Sequence, residues 1–239
     1  MTSAKDGLIV ALDVPLKRAE TLIEDLSPLV WGFKIGSSLI TSGTAWQAAL
    51  YCAQHSKPIM WDGKWFDPAR IVTMAAESMA ALGVNMLTVC LASGRMSVQA
   101  AVANSRRDTL VLGVTALTSQ DDQSCLEIYD ALRVDTIKRL ADIGYHAKVG
   151  GFVCSPQDLA ILAPIYKSVG KKFVVTAVRP EGANPMGQAS FGTPTQSLEG
   201  GADFMVVGDP ITNPPESIGS PTEAVRRIDH EIVSYTKRS

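Results

Sequence analysis

"PIMWDGKWFDPARIVTMAAESMAALGVNMLTVCL", residues 58–91, joins two kinds of pattern. At either end lies a run of strand length, PIMWDGK (58–64) and NMLTVCL (85–91), apolar at most positions. Strands of that kind suit a parallel sheet covered on both faces. Between them PARIVTMAAESMAAL (68–82) has helical period and the length of a crossover, with Pro68 suited to a first turn. The stretch therefore reads as strand, helix, parallel strand.

The same unit recurs in both directions along the chain. GLIVALD (7–13), LVWGFKIG (29–36), TLVLGVT (109–115), KVGGFVC (148–154), KFVVTAV (172–178) and DFMVVGD (203–209) bring the strand candidates to eight. KRAETLIEDL (17–26), CLEIYDALRVDTIKRLADIG (125–144) and PTEAVRRIDHEIVSYTK (221–237) supply further helical stretches. Eight such repeats in 239 residues predict an α/β fold, a (β/α)8 TIM barrel forming one domain over residues 1–239. No GxGxxG follows the first strand, which weighs against an open dinucleotide-binding sheet. No linker, low-complexity run or charge block marks a domain boundary.

A net charge of -2 gives no excess of Lys and Arg, so neither nucleic acid nor an anionic membrane surface is expected as a partner. The first apolar run, GLIVAL, is too short for a membrane span or a signal segment, and a cytoplasmic protein with a small-molecule partner is expected. Cys52, Cys90, Cys125 and Cys154 form no CxxC and read as reduced, mostly buried thiols. His55, His146 and His230 fall in or beside helical stretches, which argues against a metal centre or imidazole catalysis.

In a barrel of this type the chemistry collects where the strands end. These strands end in Asp13, Lys34, Asp62 with Lys64, Thr115, Cys154 with Ser155, and Asp209. Asp62 and Lys64 are two residues apart on one strand, so their side chains share a face. Asp67 stands at the start of the next helix, where it is alternatively a cap, and Lys34 is alternatively a core-edge lysine reaching outward. Three strands ending in charge on one rim would cost on the order of several kcal/mol unless the charges are paired or used. Trp65 and Phe66 read as core or subunit-interface residues.

With these residues in view the chain resembles the orotidine 5'-monophosphate decarboxylase family. LIVALDVP, FKIG, DGKWFD, GVTALTS, GFVCSPQDL, VRPEG followed by Gln188, and GADFMVVGDPIT are similar to that family's segments and occur in its order, with DGKWFD its DxKxxD signature. The resemblance implies cofactor-free decarboxylation of orotidine 5'-monophosphate to uridine 5'-monophosphate. Lys34, Asp62, Lys64 and Asp67 would form the catalytic array, with Lys64 delivering the proton to C6. Asp13, Thr118, Ser119, Arg179, Gln188, Gly208 and Asp209 would contact the substrate. It also implies a homodimer in which Asp67 enters the neighbouring subunit's site. Magnesium-dependent relatives with the same barrel carry Glu where this chain has Lys34, so no metal is expected.

The chain departs from the family pattern at four places. The eighth strand ends in GDPI, not GRPI, so Asp209 stands where an arginine grips phosphate. VTAVRP replaces VTPGIRP, putting Ala177 in place of a proline and dropping a glycine. Ile71 replaces a threonine, and Cys90 falls in a fourth strand that lacks the family's histidine. Three functions are consistent with this pattern: the nucleotide decarboxylase, a decarboxylase of a related nucleoside or nucleotide without the usual 5'-phosphate, and a non-catalytic ligand-binding homologue.

Overall fold

The structure is a computed structural model that describes residues 1–180 and 192–238. Its eight strands are β1 (Leu8–Ala11), β2 (Gly32–Ile35), β3 (Ile59–Trp65), β4 (Met86–Cys90), β5 (Leu110–Val114), β6 (Gly151–Cys154), β7 (Lys172–Val175) and β8 (Phe204–Val207). They form a closed barrel in chain order, and β8 pairs in parallel with β1. The (β/α)8 TIM barrel read from the sequence is the fold, and each strand falls in one of the eight expected runs, β3 alone extending one residue past its run to Trp65.

Both faces of the strands are apolar because the barrel has two cores. Ile9, Ala11, Met60, Met86, Leu112, Val114, Val153, Val174 and Val206 pack together inside it. Leu8, Val10, Phe33, Leu87, Phe152 and Phe173 belong to the larger cluster between the strands and the surrounding helices. Along each strand the alternation is that of a pleat, successive residues pointing to opposite sides.

The helices complete the outer core with stripes of helical period. Leu16–Leu26 buries Ala19, Leu22, Ile23 and Leu26, and Pro221–Thr236 buries Ala224, Val225, Ile228 and Ile232. Among the described residues no helix is long and apolar enough to cross a membrane. The stretch 125–144, read above as helical throughout, is broken into helices Asp122–Tyr129 and Arg133–His146. Asp130 ends the first with a left-handed φ of 52°, a conformation Asp tolerates better than most residues. Asp121 then caps the first helix through the Ser124 N–H, and the Asp122 carboxylate accepts the Arg133 N–H at 2.9 Å.

Phe152 is fully buried and packs on Tyr166 and Phe173 with ring centroids 5.1 and 6.0 Å apart. Replacing Phe152 by Ala is expected to lower unfolding free energy by about 3–5 kcal/mol, read as a fall in the urea midpoint with an unchanged slope.

Candidate active site

Strand parity carries the charged residues inward. On β2, Phe33 and Ile35 join the outer cluster, so Lys34 between them faces the barrel interior. On β3, Trp61 joins the outer cluster and Met60 the inner one, which turns Asp62 inward. Asp13 follows β1 in register with Ala11 of the inner cluster. These three strands are neighbours in the sheet, and their ends place the carboxylates and ammoniums within reach of one another.

Lys34 Nζ lies 3.2 Å from both Asp13 Oδ1 and Asp62 Oδ2, and Lys64 Nζ lies 2.6 Å from the same Asp62 Oδ2. The Asp62 side chain is 7% exposed and that of Lys34 10%, whereas that of Lys64 is 37% exposed and that of Asp13 53%. The array thus runs from a buried pair to two groups open to the cavity. Burial alone pushes the Asp62 carboxyl toward its neutral form, but Lys34 and Lys64 outweigh it and hold its pKa below the ordinary value. Burial likewise disfavours the charge on Lys34, and Asp62 and Asp13 more than compensate, so its pKa stands above the ordinary value.

The cavity beside this array has a volume of about 260 Å³. Asp13, Lys34, Asp62 and Lys64 line one side, and Thr118, Ala177, Arg179, Gly208 and Asp209 line other parts of its wall. Arg133 supports the loop that carries Thr118: its Nη1 donates to the Leu117 and Gln120 carbonyls at 2.8 and 2.5 Å. The same guanidinium is fixed by Asp158, at 3.2 Å from Nε and 2.5 Å from Nη2. Ser119 is exposed and lies outside the cavity lining, and Gln188 lies outside the described residues.

The two strand exits opposite the lysines differ in charge. Asp209 opens the short helix Asp209–Thr212 after β8 and lines the cavity. Arg179, after β7, is buried, and its Nε has no hydrogen-bond partner among the described residues. Burial lowers the Arg179 pKa, and the Asp209 carboxylate acts against that shift. Ala177, between β7 and Arg179 in the chain, adopts a left-handed φ of 56°.

Asp67 is not part of the array within one chain. It is exposed, makes no ion pair among the described residues, and precedes helix Ala69–Leu82, whose N-cap is Pro68. The capping role considered for Asp67 is not taken up: the helix's N-cap is Pro68, with no side-chain cap hydrogen bond among the described residues. Trp65 packs on the outer core, while Phe66 is 63% exposed.

The cysteines are all free, with Cys52, Cys125 and Cys154 buried and Cys90 half-buried. Two residues of β4 went unnoticed as site residues. Thr88 Oγ1 lies 3.0 Å from Asp62 Oδ1 and 2.9 Å from the Lys64 N–H, and Cys90 Sγ lies 3.3 Å from the Lys64 carbonyl. The signal for them was the inward parity of β4 beside the charged end of β3, which sequence alone does not register.

The lowered Asp62 pKa implies stabilisation that is complete above the unfolded value of 3.8 and lost as pH falls through the depressed folded value. The stability advantage of the wild type over Asp62→Asn is therefore expected to be constant between about pH 5 and 8 and to shrink below about pH 4. Denaturant unfolding of both proteins across that range measures it.

The comparisons with known proteins agree with this geometry. The model of the Orotidine 5'-phosphate decarboxylase / HUMPS family matches residues 6–228. An orotidine 5'-phosphate decarboxylase of Moorella thermoacetica is 34% identical over 243 residues, covering 96% of this chain and 93% of the relative. One from Nitrosococcus oceani is 34% identical over 235 residues, covering 95% and 98%. Among solved structures, orotidine 5'-phosphate decarboxylase from Lactobacillus acidophilus superposes with a TM-score of 0.76 at 23% identity, covering 95% of this chain and 99% of that one. A barrel whose lysines and carboxylates converge at the end of its first three strands, matched over nearly its whole length by one family model, belongs to the orotidine 5'-phosphate decarboxylase / HUMPS family.

Proposed function

We propose that the chain is a cofactor-free carboxy-lyase of the cytoplasm that converts orotidine 5'-monophosphate to uridine 5'-monophosphate, a step of pyrimidine biosynthesis. The observation that carries this reading is the Lys34–Asp62–Lys64 array, two ammoniums sharing one buried carboxylate oxygen at the cavity wall. In the reaction the bond from C6 to the carboxylate carbon breaks, its electron pair stays on C6, and carbon dioxide leaves. The carbanion gains little from delocalisation, so fixed charge must stabilise it. Lys64, the more exposed lysine, faces C6 and donates the proton that forms the new C–H bond. Asp62 lies beside the substrate carboxylate, and their repulsion is relieved as carbon dioxide departs. Lys34 holds Asp62 in place and, with Asp13, binds the ribose hydroxyls. Thr118, Arg179, Gly208 and Asp209, all in the cavity wall, are the remaining substrate contacts in this reading, together with Gln188 and, although it lies outside that wall, Ser119.

Asp67 completes the array in the site of a second subunit of a homodimer. Its exposure supports this, as do the exposed apolar side chains Phe66, Ile71 and Met74 around it in the chain. A second reading replaces the substrate by a nucleoside or nucleotide without the usual 5'-phosphate. Asp209 in the cavity wall favours it, because a carboxylate repels a phosphate dianion.

Loss of pyrimidine absorbance on adding orotidine 5'-monophosphate, with unphosphorylated orotidine run beside it, tests both. Turnover of the nucleotide is expected, and Lys64→Ala should reduce it by at least about a thousandfold. Turnover of orotidine alone would replace the first reading by the second, and silence on both would end both. Mixing Lys64→Ala with Asp67→Ala subunits should restore roughly a quarter of wild-type turnover, since half of the subunit pairs are hybrid and each holds one intact composite site. Asp209→Asn should lower the KM for the nucleotide roughly fivefold while leaving kcat little changed, by removing one like charge.

A further inference from the structure

Lys64 occupies a backbone conformation that its strand pairing does not supply. Trp61 pairs with Leu87 and Trp65 with Val89, so β3 holds two more residues than β4 between those points. Lys64 lies in this excess with a left-handed φ of 44°. Residues in such a bulge lose their ladder partners, and interior peptide groups need others.

Here the partners are side chains of β4. The Lys64 N–H donates to Thr88 Oγ1 at 2.9 Å, and Cys90 Sγ donates to the Lys64 carbonyl at 3.3 Å. The same Thr88 hydroxyl reaches Asp62 Oδ1 at 3.0 Å. Only one proton arrangement fits: the peptide N–H can only donate and the ionised carboxylate can only accept, so Thr88 accepts from the first and gives its one proton to the second. Thr88 is 1% exposed, which leaves it no competing solvent.

We infer that Thr88, with Cys90 as its weaker companion, is a positioning residue that fixes both the backbone from which Lys64 reaches and the plane of the Asp62 carboxylate. With Oδ1 bound to Thr88, Oδ2 is the oxygen left for Lys34 and Lys64. Rotating the carboxylate would break all three contacts together. This inference rests on the reading that Asp62 and Lys64 perform the chemistry, but the bonds that carry it are independent of the substrate.

The test compares Thr88→Val, which keeps the shape and removes the hydroxyl, with Thr88→Ser, which keeps the hydroxyl. Thr88→Val is expected to lower kcat by about thirtyfold or more with KM within about threefold of wild type, and Thr88→Ser to stay within about fivefold in kcat. The acid limb of kcat/KM should move to higher pH in Thr88→Val, because Asp62 loses a donor that favours its ionised form. Cys90→Ala should show a smaller fall, a thiol being a weak donor. Amide exchange at Lys64 and a carbon-13 titration of the Asp62 carboxyl read the same contacts without turnover. Faster exchange and an upward titration shift are expected in Thr88→Val, and in Thr88→Ala should the valine not fold. Wild-type kcat in Thr88→Val, equal damage in Thr88→Ser, or unchanged exchange and titration would overturn the inference. An inactive wild type in which the substitution still alters exchange and titration would sink the proposed reaction and leave the positioning role standing.

Discussion

Everything at the cavity depends on one carboxylate oxygen shared by two ammonium groups. Asp62 is almost wholly buried, a place where a lone carboxylate would take up a proton, and Lys34 is almost as buried, where a lone amine would lose one. Each remains ionised because the other is ionised. Removing one member of such a pair commonly costs about 3–5 kcal/mol, since the survivor keeps its burial and loses its compensation. Lys64 joins the pair from the more open side and so belongs both to the buried network and to the cavity.

The barrel makes that arrangement stable. Beneath the charged ends the interior is filled by aliphatic side chains such as Ile9, Met60, Met86 and Val206, so the array rests on an apolar floor. Field strength there is greater than in water, and the three donating strands are locked as neighbours by ladder bonds. The opposite wall comes from exits of other strands and from the loop held by Arg133 and Asp158. The lysine side of the site is built on paired strands, and the rest of the wall combines strand residues such as Val114 and Val206 with the loops beyond them.

Much of this was legible in the chain. Eight apolar runs separated by helical stretches specify the barrel because a doubly covered parallel strand cannot be polar on either face, and the charged strand ends then stand out as exceptions. Period-two alternation also put Asp62 and Lys64 on one face, and both line the cavity. Less legible was anything set by neighbours distant in sequence. The two extra residues between Trp61 and Trp65 exist only relative to β4, so neither the left-handed Lys64 nor the contacts of Thr88 and Cys90 follow from the local pattern. The break at Asp130 was hidden because helical period continues across it, and the backbone turn there is answered by Asp122 and Arg133. Asp67 was visible as a member of the signature, yet in a single chain it is exposed and joins no ion pair among the described residues.

Ala177 shows what the cavity demands of the chain that builds it. A left-handed backbone costs an L-residue with a β-carbon roughly 1–2 kcal/mol that glycine does not incur. The chain nevertheless keeps a methyl group there, in the cavity wall and one residue before the Val178–Gly192 bridge. At this exit the fold gives up conformational ease for a surface, a local trade of stability against shape. Among the described strand residues only Lys64, at the charged end of β3, shares such a positive φ, so the cost falls on the rim, where chemistry is specified, and the apolar strands that carry the rim are spared.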